Sequence, residues 1–273
     1  MTILNKIAIT IAASVLTVNS TLALANTSTS LAQVLAGEQR SASHKARDQY
    51  RHPQQTLNFF GFNNKMTVVE ITPGGGWYME VLAPALKGSG KYYAAQYPDT
   101  GKDDYYSNSR KKLLKKIASN KLYSEVTVTD FTPKQSSELA PQGSADLVLT
   151  FRNLHNWGEA GMKQVFNDAY RALKSGGVLG VVEHNMPTTQ NWETNKRSGY
   201  VPKAMVIKIA KAAGFKLVAS SDINANPKDN ANHPRGVWTL PPVLRLGEKD
   251  KAKYLAIGES DRMTLKFAKL ADK

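Results

Sequence analysis

The chain has 273 residues, with 36 lysines and arginines against 22 aspartates and glutamates, and it contains no cysteine. The absence of thiols excludes a disulfide scaffold and a cysteine-ligated metal site, and the length fits one α/β domain with a sizeable core. The positive charge indicates a solvated basic face or an anionic partner. No zinc-finger or aromatic RNA-binding signature indicates specific nucleic-acid binding.

The first 25 residues have the pattern of a secretory signal peptide. Lys6 precedes an apolar run at 7–16, and A-L-A at 23–25 is a small-residue cleavage site. The apolar run is about ten residues long, whereas a transmembrane helix needs roughly 20. We therefore expect cleavage after Ala25 and a periplasmic protein with no transmembrane segment after cleavage. An uncleaved N-terminal anchor is the alternative.

Residues 26–65 are polar and helix-prone, and we interpret them as an N-terminal helical cover. In the domain at 66–273, short β-branched runs alternate with helical patterns. The strand-like runs are K-M-T-V-V-E-I, K-Y-Y-A-A-Q-Y, Y-S-E-V-T-V-T-D-F, A-D-L-V-L-T-F, V-L-G-V-V-E-H, F-K-L-V-A-S-S and M-T-L-K-F-A. This alternation predicts an α/β fold with a Rossmann-like, doubly wound, mostly parallel seven-stranded sheet. The proline-rich and charged stretch at about 224–260 is predicted to be an insertion on the ligand-binding side.

A basic helix is predicted between the second and third strands. The segment R-K-K-L-L-K-K-I places leucines and isoleucine on one helical face and a basic stripe on the other. Both a solvated face and a surface for an anionic lipid, polysaccharide or nucleic acid fit this pattern. The stripe consists of Arg110, Lys111, Lys112, Lys115 and Lys116.

The stretch V-V-E-I-T-P-G-G-G-W-Y at 68–78 joins the first strand to a helix. Glycines at such a junction let backbone N–H groups approach an anionic ligand at the helix N-terminus, although a tight turn without a ligand is the alternative. The turn lacks the Gly-Lys-Ser/Thr ending of a P-loop. Met79 stands where a dinucleotide turn needs a small residue, which argues against a nicotinamide-dependent oxidoreductase.

The same stretch resembles the first motif of class I S-adenosylmethionine-dependent methyltransferases, an acidic residue followed by G-x-G-x-G. Glu70 matches the acid, Gly74 and Gly76 match two of the glycines, and Thr72 replaces the first. Downstream, L-H-N-W and L-K-S-G-G are similar to signatures of the fourth-to-fifth-strand segment of these enzymes, so the motifs cover roughly 66–185. The whole chain also resembles a group of exported bacterial proteins predicted to be methyltransferases, through H-P-Q-Q-T-L-N-F-F-G, W-T-L-P-P and K-Y-L-A-I-G-E-S-D-R-M-T-L-K-F.

The resemblance implies the class I methyltransferase fold and S-adenosylmethionine as the cofactor. By the same resemblance, Glu70 holds the methionine amino group of the cofactor, directly or through water. The backbone of Gly74 and Gly76 contacts its methionyl and ribose portions. Tyr78 is a further candidate contact from the first turn of the helix.

Two more cofactor-binding candidates follow the second and third strands. Gln96 stands where the family has an Asp or Glu that binds both ribose hydroxyls, and an amide lacks the charge assistance of a carboxylate. Asp99 lies three residues further on and is a candidate substitute. Asp130 matches the acid that meets the adenine amino group in the family, and an ordinary turn aspartate is its alternative reading.

The candidate catalytic residues are His155, after the fourth strand, and His184, at the end of the fifth. Methyl transfer to a hydroxyl needs a base, and histidine serves that purpose near neutral pH. Arg152 and Asn153 lie beside the same site and are suited to position an anionic or polar group. A structural role for His155 in the L-H-N-W loop is the alternative. No metal motif is present, so no metal site is predicted.

Two functions fit this sequence. The first is a methyltransferase that transfers a methyl group from S-adenosylmethionine to a small-molecule or envelope acceptor. The second is an exported non-enzymatic protein that keeps the fold and binds another nucleoside or an anionic ligand. Thr72 and Gln96 favour the second. Glu70, Gly74, Gly76 and the later motifs favour the enzyme.

Overall fold

The computed structural model describes residues 30–270. The predicted signal peptide lies outside the described residues. Between residues 30 and 270, no helix is both long and apolar enough to cross a bilayer.

Four helices precede the first strand: α1 (Leu31–Ala36), α2 (Ala42–Lys45), α3 (Asp48–Arg51) and α4 (Pro53–Phe60). Ser30 and Gln33 form a capping box at the start of α1, and Pro53 occupies the first position of α4. Phe60 of α4 is buried against Gly180, where a Cβ would approach the phenyl ring to 2.9 Å. The N-terminal helices therefore pack directly on the sheet.

The sheet has eight strands. They are β1 (Thr67–Ile71), β2 (Lys91–Gln96), β3 (Val126–Asp130), β4 (Ala145–Phe151), β5 (Leu173–Met186), β6 (Val201–Pro202), β7 (Phe215–Ser221) and β8 (Arg262–Lys269). Their order is β3-β2-β1-β4-β5-β8-β7, and the short β6 pairs with the end of β5. Strand β8 is antiparallel to β5 and β7, and the other pairs are parallel. The predicted Rossmann-like fold is confirmed, and β6 is an addition to the seven predicted strands.

Helices cover both faces of the sheet: α5 (Met79–Leu86), α6 (Tyr105–Ala118), α7 (Leu154–Ala172), α8 (Trp192–Asn195), α9 (Lys203–Ala212) and α10 (Lys251–Ile257). Val69 and Ile71 face a core shared with α7 and α9, whereas Val68 faces a core shared with α4 and α5. This division follows from the alternation of side chains along a strand. Burial on both faces explains the continuous apolar sequence of the central strands.

The basic helix is α6, and one detail of its predicted face is wrong. Leu113 is fully buried and Ile117 is partly buried, but Leu114 is 44% exposed because the helical period turns it away from the sheet. Arg110 pairs with Asp130 at 2.9 Å, and Lys116 pairs with Glu80. Lys111 lies 3.8 Å from Asp99, so three of the five basic residues have acidic partners. The role of the stripe as an anion-binding surface stays a prediction.

Candidate functional site

A cavity of about 490 Å³ lies at the C-terminal ends of β1, β2, β4 and β5. The strand order reverses between β1 and β4, which is where doubly wound sheets bind ligands. The segment between β7 and β8, which includes the predicted insertion, forms one wall through Trp238, the Pro241–Val243 stretch and Glu259. A smaller cavity of about 230 Å³ adjoins it and shares Thr72 and Gly74.

The glycine turn has a left-handed backbone at three positions. The φ angles are 51° at Thr72, 57° at Gly74 and 75° at Gly76. Thr72 thus adopts the conformation for which the family uses glycine, at a cost of roughly 1–2 kcal/mol, and its buried Oγ1 has no partner among the described residues. No atom lies within 4 Å of a Cβ built on Gly74, so this part of the turn faces open space.

Glu70 and Tyr78 line the smaller cavity. The Tyr92 hydroxyl donates a hydrogen bond to Glu70 Oε2 at 2.5 Å. Burial raises the pKa of Glu70 to about 7, although this hydrogen bond and the charge of Arg152 act in the opposite direction. Tyr78 is 3% exposed and stacks on Phe151 with a centroid distance of 3.7 Å, so its ring belongs to the cavity wall.

Gln96 lies at the end of β2 and lines the larger cavity, as its predicted ribose-binding role requires. Its amide already bonds within the protein, since Nε2 donates to Ser109 Oγ at 3.2 Å and Oε1 accepts from Tyr97 N at 3.1 Å. Asp99 binds the backbone N–H of Gly101 and lies outside the residues that line the cavity. The ribose contact stays a prediction for Gln96.

The structure does not bring Asp130 to the same cavity. The Asp130 side chain is 70% exposed, pairs with Arg110, and lines a separate open hollow beside β3. The separation has a simple cause, because β3 is the edge strand of the sheet and is two strands away from β1. An adenine contact by Asp130 stays a prediction that this geometry does not support.

His155 forms a hydrogen-bonded pair with Glu183. His155 Nδ1 lies 3.1 Å from Glu183 Oε1, and the His155 ring lines the larger cavity. Because an ionised carboxylate only accepts hydrogen bonds, Nδ1 carries the proton and Nε2 is the basic nitrogen. Glu183 is completely buried and also accepts from Leu154 N at 2.6 Å and His184 N at 2.8 Å. These three bonds fix the carboxylate and, through it, the orientation of the His155 ring.

His184 lies on the same cavity in a different environment. Its Nδ1 is 2.5 Å from Ser260 Oγ, and its ring centroid is 5.2 Å from that of His155. Burial is the main cause that lowers the pKa of His184 well below its usual range, and the neighbouring His155 and Arg262 act in the same direction. His184 is therefore neutral at physiological pH.

The sequence contains no metal motif, yet the fold places three metal-binding side chains together. Potential ligand atoms of His155, Glu183 and His184 lie within 4.8 Å of one another. Both oxygens of Glu183 are already held by N–H donors, and Ser260 holds His184 Nδ1. We therefore interpret the cluster as an orienting hydrogen-bond network for His155.

Arginines form a further part of the site that the sequence analysis largely missed. Glu259 accepts from Arg47 Nε at 2.6 Å, Arg51 Nε at 3.3 Å and Arg262 Nη2 at 2.9 Å. Burial opposes ionisation of Glu259, but Arg262 and the other two charges outweigh it and lower the pKa of Glu259 to about 2. Glu259 is thus a buried anion shared by three cations.

Arg152, which the sequence analysis placed beside the site, lines both cavities. Its φ is 60°, and its backbone N–H donates to Val182 O at 2.7 Å, which fixes this left-handed conformation at the end of β4. Burial and then the charge of Arg262 lower the pKa of Arg152 to about 10, so the guanidinium stays charged. The neighbouring Asn153 donates from Nδ2 to Ile71 O at 3.1 Å and ties the ends of β4 and β1 together.

The chain has a Rossmann-like α/β fold that matches solved methyltransferases, and its antiparallel strand β8 lies between β5 and β7. It is similar to an S-adenosylmethionine-dependent methyltransferase from Aquifex aeolicus, with a TM-score of 0.55, 14% identity, and coverage of 88% of this chain and 99% of that one. A protein proposed to be a sarcosine dimethylglycine methyltransferase from Galdieria sulphuraria matches with a TM-score of 0.58, 13% identity, and coverage of 83% and 86%.

A third similar structure is the cyclase SpnF, with a TM-score of 0.57, 14% identity, and coverage of 86% of each chain. No protein-family model and no curated protein sequence matches this chain. At these sequence identities the similarity shows only the fold. Because one of the similar structures is a cyclase, the reaction of the present protein has to be argued from its site.

Proposed function

We propose that this protein is an S-adenosylmethionine-dependent methyltransferase that methylates a hydroxyl group of a small-molecule or envelope acceptor. The observation that carries the proposal is the hydrogen-bonded pair of His155 and Glu183. The pair lies on the same cavity as the glycine turn, at the reversal of strand order. A base and a nucleotide-type turn that share one cavity are what methyl transfer to a hydroxyl requires.

The residues around the turn fit the cofactor. Gly74 leaves open space beside its backbone, the Thr72 hydroxyl has no partner among the described residues, and Glu70 faces the adjoining cavity. The larger cavity has the size of ordinary cofactor pockets, which run from roughly 300 to 1,000 Å³. When bound, S-adenosylmethionine supplies an electrophilic methyl group on a sulfonium sulfur.

His155 acts as the general base in this proposal. Nε2 of His155 would take the proton of the acceptor hydroxyl as its oxygen bonds to the methyl carbon, while the carbon–sulfur bond breaks and S-adenosylhomocysteine leaves. Glu183 keeps Nδ1 protonated and stabilises the imidazolium that results, because its carboxylate is buried beside that nitrogen. His184, held by Ser260, is a neutral wall of the cavity and can donate or accept a hydrogen bond at Nε2.

The test is calorimetry of the purified protein with S-adenosylmethionine and S-adenosylhomocysteine, followed by transfer of a trideuteromethyl group into a small-molecule extract. We expect saturable binding of both compounds and a labelled product detected by mass spectrometry. An absence of binding at millimolar concentration would contradict the proposal.

The alternative is a non-enzymatic protein that binds another nucleoside or an anionic ligand. The internal hydrogen bonds of Gln96 and the position of Asp130 outside the cavity fit this alternative, but the similar methyltransferase structures do not favour it. Saturable binding of another nucleoside such as adenosine, without detectable binding of S-adenosylmethionine or S-adenosylhomocysteine, would support this alternative.

We further propose that the protein is exported and that its signal peptide is cleaved after Ala25. The supporting observation is the sequence pattern of the first 25 residues. A reporter enzyme fused after residue 30 tests the proposal, and we expect periplasmic activity. Cytoplasmic retention of the reporter would contradict export and would place the protein where S-adenosylmethionine is made.

A further inference from the structure

Buried donors at the border of the two cavities have no partner within the described part of the chain. Arg51 is 3% exposed, and its Nε binds Glu259, but its Nη1 has no hydrogen-bond partner there. The Thr72 Oγ1 is also buried and also lacks a hydrogen-bond partner among the described residues. Arg51 and Thr72 each line the larger and the smaller cavity. A buried donor without a partner costs about 1–3 kcal/mol. Both donors belong to residues that line the cavities, which fits a ligand rich in hydrogen-bond acceptors.

Arginines outnumber carboxylates around these donors. Among the described residues that line the larger cavity, the positive side chains are Arg47, Arg51 and Arg152, and the single carboxylate is Glu259. Within the same described range, the smaller cavity adds one carboxyl group, that of Glu70, and no further arginine. Arg262 lies behind them and also binds Glu259. The ion pairs of the described residues include none to Arg152. Buried charges without counter-ions are unfavourable, so the cavity favours a negatively charged ligand.

The proposed cofactor does not supply this charge. S-adenosylmethionine carries a sulfonium and an ammonium group against one carboxylate, so its net charge is positive near neutral pH. Its binding would leave the excess of arginine charge in place. The acceptor is therefore the ligand that has to bring the negative charge.

The excess positive charge lies beside the proposed base. Arg152 and His155 belong to the same short segment after β4, three residues apart. Ser260 directly follows Glu259 in the chain, and its hydroxyl forms a hydrogen bond with His184. An acceptor with its hydroxyl at His155 would thus place a neighbouring substituent against the arginines.

On the basis of the function proposed above, we propose that the acceptor carries a carboxylate or phosphate group, which Arg51 and Arg152 bind. The planar guanidinium groups match the two oxygens of such an oxyanion and form charge-assisted hydrogen bonds. The Thr72 hydroxyl provides a further donor. The acceptor class is accordingly a hydroxylated organic acid or an organic phosphate.

The test uses inorganic phosphate as the probe and isothermal titration calorimetry as the measurement. Phosphate is titrated into the full protein alone and into the protein saturated with S-adenosylhomocysteine. We expect saturable binding in both cases. Arg152→Gln should weaken phosphate binding by about tenfold or more, which corresponds to the loss of one charge-assisted interaction.

The matched control is Arg197→Gln, which removes an exposed arginine that lies outside the residues lining either cavity. This control should leave the phosphate affinity unchanged. Retention of S-adenosylhomocysteine affinity within twofold in Arg152→Gln would show that the variant is folded and that the arginine does not serve the cofactor.

Two outcomes would overturn the proposal. The first is an absence of phosphate binding, or equal phosphate affinity in Arg152→Gln and the wild type. The second is that phosphate competes with S-adenosylhomocysteine, and that Arg152→Gln weakens the binding of S-adenosylhomocysteine but not the binding of methylthioadenosine. Methylthioadenosine lacks the amino-acid portion. That second result would assign the arginines to the cofactor's own carboxylate.

The experiment also separates this inference from the proposed function. If the wild-type protein does not bind S-adenosylhomocysteine, the methyltransferase proposal fails. The acceptor assignment fails with it, while the phosphate titration of the free protein still reports whether Arg152 forms an oxyanion site.

Discussion

The two sides of the cavity are built in different ways. The glycine-turn side consists of Glu70, the turn at 72–76 and Gln96, which all belong to one strand-helix-strand unit. The histidine side combines α3, the end of β4, the end of β5 and the loop before β8. The first side depends on backbone conformation and the second on side-chain pairs. Local sequence can specify the former, whereas only the folded chain can assemble the latter.

Two buried carboxylates illustrate this difference. Glu70 is 3% exposed and Glu259 is 4% exposed, so burial opposes the ionisation of both. Burial dominates at Glu70 and raises its pKa to about 7, whereas Arg262, Arg51 and Arg47 outweigh burial at Glu259 and lower its pKa to about 2. The neighbours, and not the degree of burial, decide which carboxylate is charged.

The largest expected effect is on catalysis at the histidine side. His155→Gln should lower kcat about 100- to 10,000-fold, the usual contribution of a general base. The measurement is the initial rate of S-adenosylhomocysteine formation with the acceptor identified by label transfer. The affinity for S-adenosylhomocysteine should be unchanged and serves as the folding control. An unchanged kcat would assign His155 a structural role.

The next effect is on stability at the same side. Glu259→Gln should lower the free energy of unfolding by about 3–5 kcal/mol, because the buried Arg51 and Arg262 and the partly exposed Arg47 lose their counter-charge. Urea denaturation provides the measurement. Glu248→Gln is the control, since the Glu248 side chain is 87% exposed and its loss should change stability by less than about 0.5 kcal/mol. Similar values for the two variants would refute the role assigned to Glu259.

On the glycine-turn side, stability should depend on pH through Glu70. Its pKa is higher in the folded state than the ordinary value of 4.5, so its contribution to stability is complete below pH 4.5 and is lost as the pH rises through about 7. The loss is on the order of 3 kcal/mol. Urea denaturation at pH 5 and pH 8 should show this decline in the wild type and a smaller decline in Glu70→Gln. Equal declines would contradict the prediction.

The smallest effect concerns the glycine turn itself. Gly74→Ala should weaken S-adenosylhomocysteine binding about tenfold, because the added methyl group enters the open space beside the turn. Gly88→Ala is the matched control, since Gly88 also has a positive φ and open space but is exposed outside the cavities. Both variants should lose about 1–2 kcal/mol of stability from backbone strain. Equal affinities measured by calorimetry would place the cofactor elsewhere.

Much of the fold could be predicted from local patterns. The β-branched runs and the glycine turn gave the parallel strands, the β1-to-α5 connection and the position of Gln96 at a strand end. The short β6 could not, since a two-residue strand has no periodic signal.

The sequence by itself determined the sheet and the turn, because periodicity and backbone preference act over a few neighbouring residues. It also identified the two histidines as candidate catalytic residues. The tertiary structure decided their environment. Glu183 meets His155 across 28 residues, and Arg51 meets Glu259 across 208. Such pairs leave no local signal, since burial and charge at each position depend on which distant segments the fold brings together.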